Sequence, residues 1–227
     1  VGLMGLAAFV LHERKAPDPL LDLSLLRLRS VRRANVAAFA SAAALFGALV
    51  LLPFYLTRVL GFGPIALGLA ITPVALSFIV VSPIAGRAFG RTGPARMATV
   101  GYAVSAVGAA LAAVMADREA YGLVAPGIVL FGVGLAMASS PITTSAISEV
   151  PHAQLGVASS LPSISRYAGG ALGVAVLGVI MHAAIPPGAE RSTRQASVAV
   201  RELISAGFRT ALLVAAAFLV VAAIASA

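Results

Sequence analysis

Six apolar stretches, each long enough to cross a bilayer as a helix, alternate with short segments that carry nearly all the charge. No charged residue lies between Arg33 and Arg58, Arg58 and Arg87, Arg96 and Asp117, Glu119 and Glu149, or after Arg209. The fifth stretch, Gln154 to Met181, is interrupted only by Arg166. A hydrocarbon core of ~30 Å takes ~20 apolar residues as helix. The chain is 60% hydrophobic and 11% charged. A soluble globular chain has roughly 45–50% apolar and about 25% charged residues, so a soluble fold could not cover this much apolar surface. The expected fold class is all-α, a polytopic membrane bundle of six transmembrane helices.

Several chemistries drop out at once. The chain has no cysteine, which removes disulfides, thiol catalysis and thiolate metal sites. Its three histidines, His12, His152 and His182, lie at span edges without metal-ligand spacing. No nucleophile–base constellation or phosphate-binding loop appears, so neither an enzyme nor a cofactor is expected. The net charge of +8 does not signal nucleic acid. The basic residues flank apolar spans, and no RNA-binding aromatic motif or zinc-finger pattern accompanies them. The expected partner is the lipid bilayer.

The spans read as Ala34–Thr57, Pro64–Ala85, Met97–Met115, Tyr121–Ser145, Val157–Met181 and Gly207–Ala227. Residues 1–11 read as the end of a truncated preceding transmembrane helix, and the apolar stop at Ala227 gives both ends a cut appearance. Residues 12–33 read as a loop broken by Pro17 and Pro19. Alternating leucines and charges in its second part suit either an amphipathic helix lying on the membrane surface or a merely apolar linker. Residues 34–227 form the bundle. Arg14, Lys15, Arg27, Arg29, Arg32 and Arg33 precede the first span, and Arg87, Arg91 and Arg96 lie two spans later. By the positive-inside rule, loops 12–33, 86–96 and 146–156 face the cytoplasm of a multi-pass plasma (inner) membrane protein.

The chain also echoes itself. Leu45-Phe46-Gly47 is matched by Leu130-Phe131-Gly132, and Leu67-Gly68-Leu69-Ala70 by Leu155-Gly156-Val157-Ala158. A three-helix unit crosses an odd number of times, so its second copy runs inverted. Inverted three-plus-three repeats are a feature of transporter halves.

Gly86, Arg87, Gly90, Arg91, Gly93 and Arg96 mark a tight turn between the second and third spans. On composition this is a positive-inside anchor. The segment resembles the signature loop of the major facilitator superfamily, Gly-x-x-x-Asp-Arg-x-Gly-Arg-Arg. Gly86, Arg91 and Gly93 match it; the acidic position is Gly90 and the final basic pair is reduced to Arg96. A second patch resembles the fourteen-helix drug:proton antiporters of the EmrB/QacA type. It runs from Glu149-Val150-Pro151 through Gly156-Val157-Ala158-Ser159 to Arg166-Tyr167-Ala168-Gly169-Gly170-Ala171-Leu172-Gly173. Pro19-Leu20-Leu21-Asp22-Leu23 is a further feature of that branch.

The resemblance implies a C-terminal six-helix half whose N-terminal half is absent here. It implies proton-coupled efflux of small amphipathic or drug-like compounds by alternating access, with that N-terminal half, a small-molecule substrate and protons as partners. It also implies that the first and fourth helices line the central cavity. Carried over, this selects Phe46, Phe54 and Tyr55, with Met137, Ser140 and Thr144, as substrate-cavity residues, and assigns the glycine–arginine turn a gating role. Taken alone, each of these side chains reads equally as packing or lipid-facing.

Arg166 is the one ionisable residue inside a span. A mid-membrane arginine costs ~2.5–3.5 kcal/mol on insertion scales, so it should face protein or water, or snorkel. It is expected in the first turns from the cytoplasm, tethering a helix end near Glu149 or serving in gating. Gly169, Gly170 and Gly173 are spaced for close helix packing, with Gly178 broadening the small surface. No Asp or Glu occurs in any span, and arginine keeps its proton, so a conventional proton relay would have to draw on the other half. The competing expectation is a non-transporting membrane scaffold or assembly subunit.

Overall fold

The computed structural model describes residues 28–118, 120–147, 155–183 and 198–227. Six helices carry them: α1 Arg29–Arg58, α2 Pro64–Thr92, α3 Pro94–Met115, α4 Tyr121–Ile147, α5 Leu155–Ala183 and α6 Val198–Ser226. A single 3-10 turn, Ala116–Arg118, extends α3. Each of the six is long and apolar enough to cross a membrane. Even the shortest, α3 with 22 residues, reaches about 33 Å at 1.5 Å per residue. The expected surface helix and the preceding truncated span lie outside the described residues, as does the segment 148–154.

The helices overrun the apolar spans at their charged ends. α1 starts at Arg29 rather than Ala34, so Arg29, Arg32 and Arg33 belong to its first turns. α6 starts at Val198 rather than Gly207. Charge keeps a segment out of hydrocarbon but does not stop it from being helical in headgroup water. Hydropathy therefore marks the membrane edge and not the helix end.

The turn expected over residues 86–96 is corrected in the same way. α2 continues to Thr92, and Gly93 is the single non-helical residue before α3. Gly93 sits at φ 84°, ψ 147°, a conformation that favours glycine strongly. Pro94 follows at the first helical position, where its missing N–H costs nothing.

Packing follows a two-fold pattern. α1 lies along α5 as α4 lies along α2; α3 packs on α4 as α6 packs on α1; and α3 meets α6. These are the pairings an inverted three-helix repeat requires, with α1, α2 and α3 exchanging places with α4, α5 and α6.

The core is dominated by alanine, with Tyr55, Leu56, Leu177, Phe208 and Leu219 as its largest wholly buried side chains. Small residues let backbones meet. On the α3–α4 seam, an added methyl at Gly108 would strike the backbone of Phe131 and come within 2.8 Å of the Gly127 carbonyl. Gly101 likewise faces the Gly134 carbonyl at 2.7 Å. The α1–α5 seam repeats the device, with Gly169 against the Phe39 carbonyl and Gly173 against that of Ala43. Without a hydrophobic drive between helices in lipid, such close van der Waals contact is a main source of association.

Candidate functional site

Five helices converge on one crevice. Its walls are Ser41, Ala42 and Leu45 from α1, Phe78 from α2, Tyr102 from α3, Leu135 and Ser139 from α4, and Arg166 from α5. Apolar side chains line most of it, while hydroxyls and one guanidinium supply its polarity. Tyr102 is 2% exposed. Ser41 lies within reach of its hydroxyl, and so, electrostatically, does Arg166.

The hydroxyls are held in place by their own helices. Ser41 Oγ donates to the Ala38 carbonyl at 3.2 Å, and Ser139 Oγ to that of Ala136 at 2.8 Å. Ser139 also meets Ser82 of α2 at 3.4 Å between oxygens. Nearer the basic end, Ser165 of α5 donates to Asn35 Oδ1 at 2.6 Å, while Asn35 Nδ2 donates to the Val31 carbonyl at 2.8 Å. A hydroxyl contact thus joins α2 to α4, and another joins α5 to α1. These are the two seams that the repeat exchanges.

Arg166 lies about three turns into its helix. It is eleven residues past Leu155, about 16 Å along the axis. Phe46 is 37% exposed, its ring against Gly170, and it neighbours the crevice residue Leu45. Met137 is half-buried on α4, two residues before Ser139. Phe54 lies far from the crevice, towards the opposite end of α1, with the Arg58 guanidinium 5.7 Å above its ring.

Tyr55 corrects the cavity assignment. It is fully buried, stacks on Phe208 at 4.3 Å and 9°, and donates to the Ala116 carbonyl at 2.7 Å. It is a core residue joining α1, the end of α3 and α6. Gly178 has nothing within 4 Å of an added methyl, so it adds nothing to the close seam.

Gly86 and an exposed Arg87 lie in the last turns of α2, with Gly90 and Arg91 in the same helix, and Arg96 is exposed in the first turn of α3. The side-chain surroundings of Arg91, Ser140 and Thr144 lie outside the described residues. Among the described residues no group of three His, Asp or Glu could hold a metal ion.

Ser41, Phe78, Tyr102, Ser139 and Asn35 were not singled out by sequence reasoning. Asn35 carried a usable signal, being the chain's single asparagine and lying inside a span. The others look like ordinary membrane-helix residues until five helices bring them together.

The sequence pattern of the Major Facilitator Superfamily matches residues 1–174. The chain is 33% identical over 183 residues to the Multidrug resistance protein B homolog of Mycobacterium tuberculosis, covering 79% of this chain and 34% of that protein. It is 34% identical over 180 residues to Multidrug resistance protein Stp of the same species, covering 79% and 33%. It is 31% identical over 179 residues to the Tetracenomycin C resistance and export protein of Streptomyces glaucescens, covering 79% and 33%. The chain spans about a third of the length of the curated relatives it matches.

Proposed function

The chain belongs to the major facilitator superfamily, is a multi-pass protein of a bacterial cell membrane, and from that premise we propose that it is the C-terminal half of a proton-coupled efflux transporter. Its substrates are small amphipathic, drug-like compounds. Two six-helix halves rock around a midplane site, and the crevice at Arg166 belongs to one wall of the cavity between them.

The observation that carries this reading is the asymmetry of burial. The membrane-crossing window of α1 is 56% buried, against 17% for α2 and 28% for α5. The two helices flanking the crevice therefore have large uncovered sides. Lipid suits the apolar part of them but not an arginine within a membrane-crossing stretch. A second protein half covers both. That half also supplies the group that binds and releases the proton, since the guanidinium does not titrate.

Two measurements test this. The genomic reading frame upstream should encode eight further spans, with an Asp or Glu in one of them. Everted membrane vesicles holding the full-length protein should accumulate members of a panel of amphipathic cations, anions and neutral compounds when acidified inside, and nigericin should abolish the uptake. Uptake of no compound in the panel, or uptake insensitive to the proton gradient, would overturn the reading.

A further inference from the structure

Arg166 has a position without an evident task. It lies eleven residues into a helix of 29 and seven residues, about 10 Å by helical rise, past Ser159, where the membrane-crossing stretch begins. Its side chain is exposed at the mouth of the crevice. A guanidinium stays charged in any protein setting and carries five donors in a planar fork. A cation at this depth requires a partner or water.

The described acids do not provide one. Asp117 and Glu202 both lie at the opposite end of the bundle, and Asp117 pairs with Arg209 at 3.0 Å. The neighbouring hydroxyls are neutral and do not balance its charge. Ser41 and Ser139 place their protons on backbone carbonyls. Tyr102 lies beside Ser41 and within electrostatic reach of the guanidinium. Among the described residues of the crevice the guanidinium is thus the one charged donor, with no described acid beside it. Around it, Leu45, Phe78 and Leu135 form an apolar wall.

We propose that this crevice is a carboxylate-binding site, in which Arg166 takes the carboxylate of an amphipathic organic anion in a two-point contact while Leu45, Phe78 and Leu135 hold its apolar body. The inference rests on the cavity-wall reading and gives it a substrate class. Arginine and carboxylate match as two parallel N–H···O bonds, stronger than neutral ones and fixed in geometry. Among the described residues the crevice has no acid to attract a cation, so this wall selects for anionic over cationic compounds.

The test uses the full-length protein in lipid nanodiscs and a matched pair of probes, 1-naphthoate and its neutral isostere 1-naphthamide, in equilibrium binding. The acid should bind about tenfold or more tightly than the amide, the scale of one charge-assisted contact. Arg166→Gln should erase that difference while leaving amide binding in place, which also shows that the variant is folded. Arg166→Lys should restore part of it, since a point charge lacks the fork. Equal affinities in the parent protein overturn the proposal, as they would if a carboxylate of the other half already occupied the guanidinium. A preference for the acid that survives Arg166→Gln also overturns it. Failure of the efflux reading has a separate signature, namely probe binding without proton-driven transport of any compound.

Discussion

The Tyr55 hydroxyl donates a 2.7 Å hydrogen bond to the carbonyl oxygen of Ala116, across sixty-one residues of chain. The tyrosine ring lies flat on Phe208 at 4.3 Å. One side chain thereby ties α1 to the end of α3 and to α6. Tyr55→Phe keeps the stack and loses the bond, which should cost about 0.5–1.5 kcal/mol. Tyr55→Ala should cost about 3–5 kcal/mol, the range for emptying an aromatic site in a core. Unfolding of the purified full-length protein in mixed micelles with increasing SDS measures both. A cavity-lining tyrosine would behave otherwise, changing the range of substrates and leaving stability nearly untouched.

Gly93 should be the least replaceable glycine of the turn between α2 and α3. Its φ of 84° with ψ of 147° lies where a side chain is strained, at about 1–3 kcal/mol. Gly86 is helical, with nothing within 4 Å of an added methyl. Gly93→Ala should therefore lower the thermal midpoint or the yield of folded protein, while Gly86→Ala should be neutral or slightly stabilising. Equal effects at the two positions would argue against the one-residue turn.

The six spans and their helical class were legible because hydropathy is local: uncharged runs of this length have few alternatives to a membrane helix. The facing of single residues was not. Neighbours on a helix lie about 100° apart, so a cavity-lining α1 cannot say which of Phe54 and Tyr55 faces inward. The α3–α4 seam could have been read. Gly101 and Gly108 are seven residues apart, as are Gly127 and Gly134, a spacing of about two turns on one face. The contact of Tyr102 with Ser41 had no such signal, because it depends on where α3 and α1 are laid by the other helices.

The α3–α4 seam yields a comparison between two glycines. Gly108→Ala drives a methyl into the backbone of Phe131 and towards the Gly127 carbonyl. Overpacking of this kind should cost about 1–3 kcal/mol, because backbone cannot swing aside as a side chain can. Gly178→Ala in α5 meets open space, and removing a helix-interior glycine there should gain about 0.5–1 kcal/mol. The same SDS titration should move in opposite directions for the two variants.

Charge at the α2–α3 turn is expected to matter for orientation. Arg87 is exposed in the last turns of α2, in the same helix as Arg91. Converting both to alanine removes two of the cations by which the positive-inside rule assigns this end to the cytoplasm. Impaired topology or transport should follow, read by reporter fusions placed at the turn and by vesicle uptake. Unchanged topology together with unchanged uptake would deny this segment both its anchoring and its gating role.

Two buried serines should respond to alanine with opposite signs. Ser105 is wholly buried on α3 and donates to the Phe131 carbonyl at 2.6 Å, stitching the seam where the glycines meet. Ser205 of α6 is 3% exposed, and its hydroxyl has no hydrogen-bond partner among the described residues. Interhelical bonds of the first kind average about 0.6 kcal/mol in a membrane protein, so Ser105→Ala should destabilise by that order. Replacing an unsatisfied buried hydroxyl removes a desolvation penalty of about 1–3 kcal/mol, so Ser205→Ala should stabilise. Thermal unfolding of the two variants in one detergent decides the matter. A loss of stability on Ser205→Ala would mean that the hydroxyl finds a partner in the assembled transporter.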